Sequence, residues 1–133
     1  MTQLNCTVMT PEATALDEGA DFVAVPLYDG EIGIGHNHRP LIGHLGYGEL
    51  RLRRGNETLR YYVDGGFVQV AENRIAILTN RTIPAASIDT DAARQQLEDA
   101  RAGRANSPEL LQIRERLVNQ ARGQLRVAAR ADK

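Results

Sequence analysis

The stretch Gly30–Arg51 reads GEIGIGHNHRPLIGHLGYGELR, and the rest of the chain is divided by how it is understood. Its opening glycines, Gly30, Gly33 and Gly35, do not stand in the G-x-G-x-x-G order of a dinucleotide loop. No helix opens behind them to aim backbone amides at a phosphate. They read instead as freedom for tight turns. At the far end Leu50 and Leu52 alternate with Arg51 and Arg53, the two-residue period of a half-buried strand. Arg54-Gly55-Asn56-Glu57 then makes a hairpin turn.

Working outward, the same grammar repeats on both sides. Leu4, Cys6 and Val8 alternate with polar residues until Thr10-Pro11 ends the run. Ala20 to Leu27 carries Phe22, Val23, Ala24 and Val25, and Tyr28-Asp29-Gly30 turns the chain. Leu59, Tyr61 and Val63 alternate against Arg60, Tyr62 and Asp64. Asp64-Gly65-Gly66 predicts a turn into Phe67–Val70, and Glu72-Asn73 one into Ile75–Leu78. Many short strands at close spacing, with no βαβ alternation, predict an antiparallel β-sandwich.

Beyond Ile88 the grammar changes. Ten of the 12 glycines lie before residue 67, and only Gly103 and Gly123 follow. Through Ile88 the chain holds 7 Arg against 10 acids; from Asp89 it holds 8 Arg and Lys133 against 7 acids. Asp89 or Thr90 can cap a first helix with Ala93, Leu97 and Ala100 on one face. Gly103 to Asn106 breaks it. Ser107-Pro108-Glu109 supplies a cap, a proline at the first helical position and an acid in the first turn. Leu110, Ile113, Leu117, Ala121, Leu125 and Ala128 then form one apolar stripe. The short connection predicts an antiparallel two-helix hairpin. Its apolar face is narrow and alanine-rich, which suits reversible docking. The fold expected is α+β, with the sandwich over residues 1–86 and the hairpin over 87–133.

At 133 residues the chain is one domain of ordinary size, or a domain with a small appendage. A net charge of −1 excludes a generic nucleic-acid binder. No run is long and apolar enough for a membrane span, so direct insertion is not expected. The first residues show no secretory signal. Cys6, the single cysteine, cannot form an internal disulfide and reads as a buried, inert thiol.

Three histidines invite a metal reading. His36 and His38 would share one face of a strand, and imidazole suits zinc, iron or nickel. This also has a likeness to cupins, which need a glutamate three or four residues after the pair; Ile42 and Gly43 stand there. A small metal-dependent, cupin-like β-barrel enzyme using His36 and His38 is the alternative reading; histidines in a loop are the plainer one. No serine sits in a nucleophile elbow and no paired carboxylates mark a cleft. No catalytic, metal or cofactor residue is therefore assigned. On the second helix Arg114, Arg116, Arg122, Arg126 and Arg130 make either a solvated face or a surface for an acidic partner.

The stretch Gly30–Arg51 resembles the signature of the epsilon subunit of the F-type ATP synthase, G-E-x-G-I-x-P-x-H-A-P-L followed by a glycine and a leucine-arginine strand. Gly65-Gly66-Phe67-Val68-Gln69-Val70 is similar to the family's G-G-F-x-x-V. Asn73-Arg74-Ile75-Ala76-Ile77-Leu78 matches its next strand. Val8-Met9-Thr10-Pro11-Glu12, Ile88-Asp89 and Gln124-Leu125-Arg126-Val127 extend the likeness over nearly the whole chain. His36, Asn37 and Arg39 depart from the usual loop, which keeps its histidine at His38 and its Pro40-Leu41.

The resemblance implies a non-catalytic rotor subunit in the central stalk. The sandwich would bind the gamma subunit and rest on the c-subunit ring, coupling proton transport to ATP synthesis. The hairpin would exchange between a docked position and an extended one that hinders ATP hydrolysis at the alpha/beta catalytic head. The site would lie at the cytoplasmic face of a bacterial inner membrane, held peripherally. Glu31 is expected in the ring-facing loop, His38 and Pro40 toward gamma, and the five helix-two arginines against acidic loops of the head. Some relatives bind ATP through an I/L-D-x-x-R-A motif; here Ala92 stands at the arginine position, and weak ATP binding is expected.

Overall fold

The computed structural model describes residues 3–131. Eight strands come first: β1 (Leu4–Met9), β2 (Thr14–Ala20), β3 (Phe22–Leu27), β4 (Gly30–Ile34), β5 (Leu41–Arg54), β6 (Glu57–Ala71), β7 (Arg74–Leu78) and β8 (Thr82–Pro84). A short 3-10 turn over Ala85–Ser87 leads to two helices, α1 (Thr90–Ala102) and α2 (Pro108–Ala131). The strands hydrogen-bond in the order β2-β1-β7-β6-β5-β3-β4, with β8 on the free part of β6. This is the sandwich followed by two helices that the sequence predicts. One pair, β1 with β7, runs parallel; the others are antiparallel.

The framework is the long pair β5/β6. Leu41 faces Val70 at one end and Arg54 faces Glu57 at the other, in one unbroken register. Their two halves serve different neighbours. The Phe67–Ala71 half of β6 pairs with β7, while its Tyr61–Val63 half pairs with β8. Asp64-Gly65-Gly66 is therefore not the turn that the sequence suggests but a bend inside β6. Gly65 and Gly66 have φ of +70° and +111°, the region glycine tolerates and side chains avoid. A side chain at Gly66 would also run into the Leu78 carbonyl. The turns at Gly55 and at Glu72-Asn73 do form. Glu72 and Asn73 take φ of 50° and 63°, the left-handed pair of a two-residue hairpin.

Alternation along the strands sends one set of side chains inward. Val8, Val23, Val25, Ile34, Leu50, Leu52, Val63, Val68, Val70, Ile75 and Ile77 are fully buried in one core. Each contributes about 1.5–3 kcal/mol of transfer free energy. β2 was not expected from the sequence, because TALDEGA is a polar edge strand with only Ala20 buried.

Cys6 lies in that core with no exposed surface, opposite Glu18 and Ile75. Burial first, and then the Asp17 carboxylate, push its thiol up from 9.0 to about 12. A folded-state value above the unfolded one means that this contribution is complete below pH 9. It falls as pH rises toward 12, where the unfolded chain has released the proton and the folded chain has not. At pH 8 a disulfide reagent is expected to label Cys6 only at the rate of global unfolding. Prompt stoichiometric labelling of the native chain would contradict this.

The helices obey local rules. The Asp89 carboxylate accepts from the Ala92 N–H at 3.0 Å, capping α1. Ser107 Oγ accepts from the Leu110 N–H at 3.2 Å, capping α2. Burial along α2 differs from the predicted stripe. Leu110 and Ile113 are more than 40% exposed, whereas Ala121, Gly123, Gln124, Val127 and Ala128 are buried. Only the C-terminal half of α2 lies on the sandwich, and it does so through Gly123 and Val127.

Candidate partner-binding surfaces

One sheet face carries apolar side chains that none of the described residues covers. Ile42 on β5 is 76% exposed, Phe67 on β6 50% and Leu78 on β7 49%. Phe67 and Leu78 are cross-strand partners, and His44 is the partner of Phe67 on its other side. The His44 and Phe67 rings stand 4.6 Å apart, tilted by 48°. Tyr28, 82% exposed, rises from the turn after β3, whose amide donates to the His44 carbonyl. Tyr28, Ile42, His44 and Phe67 border a groove of about 740 Å³ running past Leu27, Gly65 and Asn80. Contiguous apolar surface of this kind marks a site for a protein partner.

The loop after β4 lies at the β6–β7 end of the sandwich. The Asn37 amide donates to Asn73 Oδ1 at 2.6 Å, and Asn73 Nδ2 donates back to Asn37 Oδ1 at 3.2 Å. His36 and His38 therefore sit in a turn closed by the His38 N–H on the Gly35 carbonyl, not on one face of a strand. His36 is exposed; the half-buried His38 ring has Nδ1 2.7 Å from the Arg39 carbonyl oxygen. Pro40 is exposed beside it. Glu31 lies on β4 rather than in a loop, and Arg51 grips its carboxylate with both Nη atoms at 2.9 and 3.0 Å.

A third surface lies under α2. The buried Asp64 carboxylate accepts from the Tyr62 hydroxyl at 2.9 Å and from Gln120 Nε2 at 3.3 Å. Burial first, and then Asp64, push the Tyr62 hydroxyl well up. Arg126 donates to the Tyr47 carbonyl at 3.3 Å, and Arg130 reaches Glu49 at 3.4 Å. Val127 completes an apolar cluster with Tyr62 and Ala85. A Cβ at Gly123 would stand 2.7 Å from the Tyr47 carbonyl oxygen and 3.0 Å from the Tyr62 ring, so only glycine lets the helix come this close.

The five arginines of α2 are not one surface in this state. Arg126 and Arg130 turn toward the sandwich, and Arg114 donates to the Arg101 carbonyl near the end of α1. Arg116 and Arg122 are exposed. The sequence did not single out Glu49, Asp64, Gln120 or Gly123, whose importance arises only when α2 meets the sheet.

The model of the ATP synthase delta/epsilon chain β-sandwich domain matches residues 3–85. This chain belongs to the ATP synthase epsilon-chain family. The epsilon chain of Rhodopirellula baltica is 46% identical over 125 residues, covering 94% of this chain and 98% of that one. That of Rubrobacter xylanophilus is 36% identical over 107 residues, covering 80% and 73%. Among solved structures, a chain of the Euglena gracilis mitochondrial ATP synthase OSCP/F1/c-ring assembly aligns with a TM-score of 0.84 at 22% identity. It covers 97% of this chain and 82% of that chain. A chain of the Tetrahymena thermophila mitochondrial central stalk/c-ring aligns at 0.74 and 15%, covering 95% and 96%. These two likenesses concern the fold. Membership of the epsilon family replaces the cupin-like alternative built on His36 and His38.

Proposed function

We propose that this epsilon-family chain is a non-catalytic rotor subunit of a proton-translocating ATP synthase. Residues 1–86 hold the gamma subunit and rest on the c-subunit ring, so that rotation reaches the alpha/beta head. Residues 87–133 are a regulatory hairpin that lies on the sandwich when docked and inhibits hydrolysis when released. The subunit sits peripherally at the cytoplasmic face of the inner membrane; among the described residues no helix is long and apolar enough to cross it.

The observation that supports this reading best is the apolar face of Ile42, Phe67, Leu78 and Tyr28. A stalk subunit needs a permanent grip on its neighbour, and apolar anchors at the centre of an interface carry most of the binding energy. His38 and Pro40 lie in the loop before β5 and are assigned to the gamma side; Glu31 is assigned to the ring side. In the docked state Arg126 and Arg130 contact the sandwich. Contact of all five helix-two arginines with the head therefore requires the hairpin to undock, which is a two-state switch biased by its partners.

The test is binding of the full chain to purified gamma subunit. Replacing Ile42 and Phe67 together by serine is expected to weaken the complex about 30-fold or more, the scale of hot-spot losses. Replacing the exposed Arg116 and Arg122 by alanine should leave it unchanged. Full affinity in the Ile42/Phe67 variant would remove gamma from this face.

A further inference from the structure

A continuous run of charge joins the edge of the sandwich to the last turns of α2. Glu31 on β4 is held by Arg51 on β5 at 2.9 and 3.0 Å. The Nη1 atom of Arg51 that contacts Glu31 Oε2 also reaches Glu49 Oε1 at 3.1 Å. The same Glu49 oxygen accepts from Arg60 Nη1 at 3.0 Å and from Arg130 Nη1 at 3.4 Å. The Glu49 side chain is 4% exposed, and its other oxygen, Oε2, is buried with no partner among the described residues.

This arrangement is unbalanced in an informative way. A carboxylate oxygen offers two lone-pair directions, yet Glu49 Oε1 receives three guanidinium groups. The three compete. Arg51 is also divided, because one of its nitrogens serves both Glu31 and Glu49. Arg130 is the weakest competitor: its contact is the longest of the three, and its side chain is 58% exposed against 26% for Arg51 and 35% for Arg60. Any strengthening of Arg51 on Glu49 falls first on Arg130.

We infer that Glu49 is a junction through which the state of Glu31 controls the docking of α2. When a cationic side chain of a partner takes Glu31, Arg51 is released to Glu49, Arg130 is displaced, and the docked population falls. The coupling is reciprocal, as linkage requires: undocking removes Arg130, lets Glu49 take Arg51, and leaves Glu31 open to an outside cation. The coupling belongs to the isolated chain. Its use in the assembled enzyme rests on the reading of Glu31 as ring-facing.

The test uses the full chain without partners and reads undocking through a thiol. Gln124, buried on α2, is replaced by cysteine; its labelling rate measures how often the helix lifts away. Cys6 in the same molecule reports global unfolding. Glu31→Gln, which removes the charge holding Arg51, is expected to raise the Gln124→Cys labelling rate about two- to fivefold, the range of partly exposed ion pairs. The Cys6 rate should stay constant. In an Arg130→Gln background, where labelling is already faster, Glu31→Gln should add nothing. An unchanged or slower rate with Glu31→Gln overturns the proposal. So does an equal increase in both backgrounds, or a parallel rise at Cys6. Because no gamma or ring subunit is present, any of these results leaves the rotor reading standing. Conversely, a failed gamma-binding test would leave this coupling intact.

Discussion

Replacing Gly123 by alanine is expected to lift α2 off the sandwich while making the helix itself more stable. The two effects have different origins. Inside a helix alanine is favoured over glycine by about 1 kcal/mol, because glycine loses more backbone freedom. In the docked state, however, the new methyl would stand 2.7 Å from the Tyr47 carbonyl oxygen, on a strand that is fixed by its pairing with β6. Overpacking against an element that cannot move costs about 1–3 kcal/mol. The ratio of docked to undocked chains should fall about 5- to 150-fold. Circular dichroism should show helix content retained, and thiol labelling at Gln124→Cys should accelerate by that factor. In the assembled enzyme the released hairpin should lower ATP hydrolysis. Unchanged protection of α2 in the alanine variant would mean that Gly123 does not set the approach of helix to sheet.

Removing the chain from Ser87 onward is expected to act in the opposite direction, raising ATP hydrolysis while assembly is kept. The strands, the main core and the apolar face all lie before that point. The truncation does uncover Tyr62, which is fully buried beneath Val127, and some loss of thermal stability should accompany it. Inhibition is assigned to Arg114, Arg116, Arg122, Arg126 and Arg130 acting together, since exposed pairs contribute only about 0.2–1 kcal/mol each. Five of them at the lower limit correspond to about a fivefold change in rate, and that is the smallest increase expected. Replacing the five by alanine should reproduce much of the truncation, and single replacements should do little. Salt should weaken the inhibition, because the Debye length shrinks from about 10 Å at 0.1 M to about 3 Å at 1 M. The measurement is the ATPase rate of the reconstituted enzyme across a salt series. Equal rates for intact, truncated and arginine-free forms would remove the inhibitory role and leave the stalk role.

The parts of this fold that were legible in the sequence are those set by local chemistry. Asp89 and Ser107 cap helices because a short oxygen-bearing side chain can satisfy an amide three residues on, which depends on nothing distant. Glu72-Asn73 turns because adjacent strands leave it two residues to reverse in. The bend at Gly65-Gly66 was misread for a reason of the same kind: paired glycines look alike at a turn and at a kink, and only the continuous register with β5 distinguishes them. β2 was missed because an edge strand needs little apolar content. The docked face of α2 was half legible. A stripe at helical spacing says which side is apolar, but not how much of its length finds a sheet beneath it. Glu49 was invisible for the most physical of reasons. Its partners come from positions 51, 60 and 130, and only Arg51 lies near it in the chain.

The parallel seat of β1 beside β7 has a consequence for how the chain is made. Asn5 pairs with Arg74 and Met9 with Leu78, so this ladder closes a loop of nearly seventy residues. On the ribosome β1 and β2 can form their hairpin at once, but the inner edge of β1 stays open until β7 has emerged. Such distant pairing is slow, since the entropy of closing the loop is lost before any contact compensates it. Until then Leu4, Cys6 and Val8 present an apolar face beside one unpaired strand edge. β1 is thus synthesised well before the strand that completes its pairing, and its open edge stays exposed over that interval.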